Sequence, residues 1–196
     1  VDPGPVDPGP PMVSVPAGTF WMGANKDGSQ CPTNALDSTA GGDELPCHSV
    51  IVPAFEIDRY EVTAGEYASR MGKCPASTGS SSYCNCGKAG RENRPVNCLT
   101  WNEAQAYCVA AGKRLCSESE WERAARGSDG RLYPWGNDTP TCNHAAYSGC
   151  ACPDGTCDVG TRAADSSPYG ARDLAGNVWE WVEDWYHSTY DGAPPN

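Results

Sequence analysis

Twelve cysteines in 196 residues, set among 22 glycines and 17 prolines, limit this chain more than any other feature. Such residues build few long helices or wide sheets, so much of the chain must run as loop, held by something other than a broad aliphatic core. An even, dense set of cysteines reads as disulfides and hence an oxidising compartment. A structural zinc is the weaker alternative. The closest pairs are Cys84-x-Cys86 and Cys150-x-Cys152 rather than Cys-x-x-Cys, and three histidines are present. The net charge of −11 disfavours nucleic acid and anionic membrane surfaces and suits cation binding. No apolar run approaches the ~18 residues that span a bilayer. The chain opens at Val1 without Met or a signal peptide, which reads as a processed or partial sequence.

Residues 1–10 repeat Val-Asp-Pro-Gly-Pro, and 1–11 read as a Pro/Gly-rich spacer. One folded domain is expected over 12–196. Residues 12–23 read as two short strands around Pro16-Ala17-Gly18, and 48–58 as a second strand pair. Three helices are announced by one device, a Ser or Thr followed three residues later by Glu: Thr63 and Glu66, Thr100 and Glu103, Ser117 and Glu120. Gly72, Gly112 and Gly127 are their expected stops. Residues 24–46, 73–97 and 138–172 read as loops, the last long enough to need ligands or crosslinks.

From Val178 onward the residues alternate. Trp179, Trp181, Glu183 and Trp185 share one parity, and Val178, Glu180, Val182 and Asp184 the other. Period two predicts a core strand, with each indole burying up to ~250 Å². Glu180 then lies between two valines and needs a partner, because a buried unpaired carboxylate is expensive. Asp173 can serve only if a cation sits between the two.

Five segments, in order, resemble the formylglycine-generating enzyme (sulfatase-modifying factor) family: Val15–Gly23, Asp58–Thr63, Pro95–Trp101, Ala110–Leu115 running into Glu118–Glu122, and Tyr169-Gly170 followed by Asp173–Trp181. The resemblance implies an α+β domain with low regular secondary structure, the C-type-lectin-like fold of that family. It implies calcium at two places. One set falls on Asp173, Gly176, Val178 and Glu180; calcium accepts this mixture of carboxylates and carbonyls. The other falls on Asn143, His144, Asp154 and Thr156. The family's catalysis belongs to two copper(I)-binding cysteines beyond the Trp-Glu-Trp segment, and residues 186–196 hold no cysteine. No catalytic residue is therefore assigned, the domain reads as lacking its C-terminal segment, and copper enters only if a further segment carries the cysteine pair. Cys108 matches a family position whose usual partner lies near that absent C-terminus.

The disulfide candidates are Cys98, Cys108, Cys116, Cys142, Cys150, Cys152 and Cys157. Cys98 with Cys108 and Cys116 with Cys142 are conceivable pairs, but spacing does not fix connectivity. Two functions compete. One is a non-catalytic, calcium-stabilised binding or structural module outside the cytoplasm (periplasmic, surface-anchored as a bacterial lipoprotein, or secreted) with a protein or peptide ligand. The other is a fragment of an active copper-dependent oxidase that converts a sulfatase cysteine to formylglycine. A hydrolase has little support, since no Gly-x-Ser-x-Gly is present.

Overall fold

A computed structural model describes residues 11–28, 31, 36–78 and 81–190. Most of the expected spacer, 1–10, lies outside the described residues. The regular elements come early: β1 (Met12–Val15), β2 (Gly18–Met22), β3 (His48–Val52), β4 (Phe55–Asp58), α1 (Ala64–Met71), α2 (Trp101–Ala110) and α3 (Glu118–Arg126). β1 pairs antiparallel with β4, Met12 opposite Asp58 and Val15 opposite Phe55. β2 pairs antiparallel with β3, Gly18 opposite Val52 and Met22 opposite His48. The strand readings at 12–23 and 48–58 therefore hold, with partners crossed between two small sheets.

Helix starts follow their caps. The side chains of Thr63, Thr100 and Ser117 each accept from the backbone N–H three residues on, and the glutamate there reaches back to the cap N–H. Two donors that would otherwise be orphaned are satisfied at each start.

The core lies where α3 crosses both sheets. Val15, Ala124, Ala125, Ala171 and Leu174 form one buried cluster; Phe20, Met22, Val50 and Val52 form the other, and Phe55 packs against both. Arg123 is buried between them. It donates to the carbonyls of Pro16 at 3.0 Å and Thr19 at 3.3 Å, and its guanidinium lies 5.9 Å from the Phe20 ring centre. A Cβ on Gly18 would stand 2.7 Å from that guanidinium, which explains the glycine in the Pro-Ala-Gly turn.

Two expectations fail. Residues 178–186 form no strand, and their indoles are not core: Trp179 is 102% exposed, Trp185 89% and Trp181 49%. The alternation has no neighbouring strand to pair with. Isolated bonds hold the segment instead: Trp101 Nε1 to the Val182 carbonyl at 2.7 Å, Trp181 Nε1 to the Leu99 carbonyl at 3.1 Å, and Glu183 N to the Cys116 carbonyl at 2.8 Å.

The conceivable cysteine pairs also differ. The disulfides are Cys31–Cys47, Cys74–Cys86, Cys84–Cys98, Cys142–Cys150 and Cys152–Cys157, leaving Cys108 and Cys116 as thiols. No bridge spans more than 16 residues, so each long loop carries its own staples. Closing a loop near 15 residues removes about 3 kcal/mol of chain entropy from the unfolded state.

Losing a cap should be measurable and local. Thr63→Ala and Thr100→Ala should each lower stability by about 1 kcal/mol, seen as a lower denaturation midpoint at unchanged m-value. Unchanged midpoints in both variants would contradict this account of the helix starts.

Candidate functional site

β4 runs through Arg59 and Tyr60 into Glu61, just before the cap of α1. Glu61 is buried (9% exposed). Its Oε2 accepts from Asn177 Nδ2 at 2.7 Å, and the nearby Val178 N–H acts to lower its pKa. Its Oε1 has no partner. Asn177 in turn accepts on Oδ1 from Cys157 N at 2.9 Å, so one amide side chain ties Glu61 to the Cys152–Cys157 loop.

The 173–180 loop is shaped by left-handed backbone at Asp173 (φ 60°), Gly176 (φ 92°) and Asn177 (φ 58°). Only glycine fits at 176, since a Cβ would meet the Ala146 carbonyl oxygen at 2.4 Å. That carbonyl accepts from Asn177 N at 2.8 Å. Asp173 Oδ2 accepts from Gly160 N at 2.5 Å, while Asp173 N–H donates to Asp165 Oδ2. Asp165 is 1% exposed and its Oδ1 is unpartnered. At the outer end Glu180 Oε2 accepts from Trp121 Nε1 at 3.0 Å.

Glu61, Asp165 and Asp173 are thus buried in this region and Glu180 lies exposed at its edge, with the Arg172 charge opposing the burial of the two aspartates. Among the described residues, no ion pair includes Glu61, Asp165, Asp173 or Glu180. The neighbouring guanidinium groups donate to carbonyls: Arg172 to Gly160 and Arg162 at 3.2 Å each, and Arg162 to Cys142 at 2.8 Å and Cys150 at 2.7 Å. Burial, then the charges of Glu180 and Asp173, pushes Glu61 up to about 9. Glu180 is exposed along an open cleft, with protein crowding its carboxyl from one side. Desolvation raises it to about 7, against the Trp121 hydrogen bond. Asp165 and Asp173 are both raised, burial first, with backbone N–H bonds and the Arg172 charge opposing at both, and the Arg162 charge at Asp173.

Of the first predicted set, Asp173 accepts from Gly160 N and Glu180 from Trp121 Nε1, on one loop with Gly176 and Val178, and the Asp173 charge raises the Glu180 carboxyl. The second set is not brought together. Asn143 is exposed, with its carbonyl accepting from Ala164 N. His144 stacks on Trp135 and bonds Thr141. Asp154 faces Arg91 at 3.5 Å, and Thr156 is engaged with Asn85. Sequence reasoning alone does not reach Glu61 and Asp165. Glu61 lies inside the Asp58–Thr63 segment, where an acidic residue beside Val62 is the available signal; Asp165 gives none, sitting in the long loop.

The family profile described as the sulfatase-modifying factor enzyme 1-like domain matches residues 1–194. The chain belongs to that family. It is 43% identical over 226 residues to a formylglycine-generating enzyme of Mus musculus, covering 89% of this chain and 58% of that protein. With the enzyme of that name from Thermomonospora curvata the identity is 31%, over 91% of this chain and 73% of the relative. The structure of PvdO from Pseudomonas aeruginosa superposes with a TM-score of 0.74 at 32% identity, covering 97% of this chain and 77% of that one. The α+β fold with little regular structure is thus that of the sulfatase-modifying factor family.

The raised carboxyls carry a sign. A group whose folded pKa exceeds its unfolded value contributes stability that is complete below the unfolded pKa and lost as pH rises through the folded one. With chelator present, stability should fall from about pH 4.5 to about 9 as Glu180 and Asp165 near 7, and then Glu61 near 9, are forced to ionise. Glu61→Gln should flatten that fall. Melts that stay level across this range in the parent protein would contradict the buried cluster.

Proposed function

We propose that this chain is the scaffold of a sulfatase-modifying-factor domain, organised by calcium and used outside the cytoplasm as a binding or structural module. The observation that carries it is the group of raised carboxyls, which Arg172 and Arg162 offset only in part, with two orphan carboxylate oxygens on Glu61 and Asp165. Asp173 and Glu180 would hold the ion, together with main-chain oxygens of Gly176 and Val178. Among the described residues no three His, Cys, Asp or Glu side chains form a metal-holding group, and calcium accepts a shell completed by carbonyls. The ion would add to the positive charge that Arg172 and Arg162 already bring to Asp173. Asn143, His144, Asp154 and Thr156 are engaged elsewhere and are not assigned a second ion.

The cysteines do not fit copper(I). Ten are locked in disulfides, and the Cys116 thiol is pushed up to about 12 by burial and by the charges of Glu180 and Glu120. Cys108 is likewise raised, chiefly by burial. Copper(I) wants thiolates, and neither thiol is disposed to supply one. The oxidase reading is favoured by 43% identity to a protein named for that activity, of which this chain spans 58%. It requires a further segment with the cysteine pair. Five disulfides support an oxidising compartment. Among the described residues no helix is long and apolar enough to cross a membrane.

Calcium at 100 times its Kd should stabilise the protein by about 2.7 kcal/mol, raising Tm by roughly 5–10 °C for a chain of this size. Glu180→Ala should remove most of that rise, and a melt indifferent to chelator would sink the calcium reading. Incubated with copper(I), oxygen and a Cys-x-Pro-x-Arg peptide, residues 1–196 should leave the cysteine unconverted; conversion would establish the oxidase instead.

A further inference from the structure

The ring closed by Cys152 and Cys157 is the smallest of the five. Its cysteines are 5 positions apart, against 8, 12, 14 and 16 for the others. Closing a smaller loop removes less entropy from the unfolded chain, so the fold depends least on this bridge and survives its opening best. Its two cysteines sit in different surroundings. Cys152 is half-buried and runs into Pro153, Asp154 and Gly155, all exposed. Cys157 is 2% exposed. Arg162 Nη2 lies 2.8 Å from the Cys157 sulfur and 3.8 Å from that of Cys152. At the neighbouring Cys142–Cys150 bridge the same guanidinium meets the two carbonyl oxygens instead.

That asymmetry gives thiol–disulfide exchange a direction. Cys152 is the half that a nucleophile reaches, and Cys157 is the better leaving group, because a cation beside a sulfur stabilises the thiolate. A thiolate of a dithiol reductant bonds to Cys152 Sγ, the Cys152–Cys157 bond breaks, and its electron pair goes to Cys157 Sγ beside Arg162. The reductant's second thiolate then attacks its own sulfur in the mixed disulfide and releases Cys152. The ring has gained two electrons, and the dithiol has become a disulfide. Of the two protons the dithiol gives up, one goes to Cys152 and the other to solvent.

Opening the ring reaches further than the ring. Cys157 N–H donates to Asn177 Oδ1 at 2.9 Å, and the Cys157 carbonyl accepts from Asn177 Nδ2 at 3.3 Å. The same Nδ2 donates to Glu61 Oε2 at 2.7 Å. We propose that Cys152–Cys157 is a reversible redox latch. A dithiol opens it ahead of the other four bridges, Arg162 holds the departing Cys157 sulfur, and opening frees Asn177 from the ring and loosens its grip on Glu61. The latch goes beyond the binding-module reading and rests on neither calcium nor a partner.

The test exposes the whole chain, with chelator present, to limiting dithiothreitol, quenches with N-ethylmaleimide and maps the labelled cysteines by mass spectrometry. Cys108 and Cys116 are thiols beforehand and mark the background. Cys152 and Cys157 should be labelled first, although Cys142 is exposed and access alone would open Cys142–Cys150 sooner. Glutathione in a parallel arm should be captured on Cys152. Arg162→Gln should slow opening of this ring about tenfold, and Arg162→Lys, which keeps the charge, should restore most of the rate. In the opened chain the Asn177 side-chain amide protons should exchange with solvent about tenfold faster or more, and oxidised glutathione should reverse the change. Another bridge opening first, glutathione captured on Cys157, an unchanged rate in Arg162→Gln, or Asn177 exchange indifferent to opening would each overturn the latch. Should Arg162→Gln not fold, the order of opening and the site of glutathione capture in the parent chain decide alone. A melt indifferent to calcium would leave the latch standing and count against the module's ion only.

Discussion

A hydrogen bond between side chains 116 positions apart, Glu61 to Asn177, joins the two ends of this fold. Glu61 leaves β4 on the way to α1, and Asn177 sits at the turn of the acidic loop. Through Asn177 the contact continues to Cys157 and the small disulfide ring; through Val178 it reaches the segment bearing Glu180. Burying one carboxylate this way is costly, and Asp165, Asp173 and Glu180 stand close enough to raise that cost. Protons or a divalent cation must offset it. The choice between them gives this region its chemistry.

Elsewhere the loops are ordered by guanidinium groups and sulfur bridges in place of wide sheets. Arg123 closes the β1–β2 turn, and Arg126 joins Gly23 and Arg131 while pairing with Glu122 at 2.6 Å. Arg162 gathers the carbonyls of Cys142 and Cys150 and approaches the Cys157 sulfur. Each charged fork satisfies several carbonyls that a loop cannot pair by itself. The bridges limit how far each loop can wander when unfolded. Neither device needs long elements, which is why two two-stranded sheets and three short helices suffice.

What can be read from the sequence is what short-range chemistry decides. The three Ser/Thr–Glu caps and the turn at Pro16-Ala17-Gly18 depend on neighbours within a few residues, and all four stand where the residues place them. Asp173 and Glu180 stand on one loop, so their proximity along the chain is visible without tertiary information. The alternation of 178–186 misleads because period two fits any extended chain, and whether a strand pairs is decided by distant segments. Cysteine pairing fails for the same reason: Cys98 meets Cys84 because the 73–97 loop folds back on itself. Glu61 and Asp165 join the cluster only through tertiary closure.

Glu61 is held, desolvated, near other carboxyls. Carbon-13 detected NMR of the side-chain carboxyls, followed against pH with chelator present, reads that directly. The account predicts that Glu61 keeps its proton through neutral pH and titrates near 9. A Glu61 carboxyl that titrates at about 4.5, like a solvated glutamate, would contradict it.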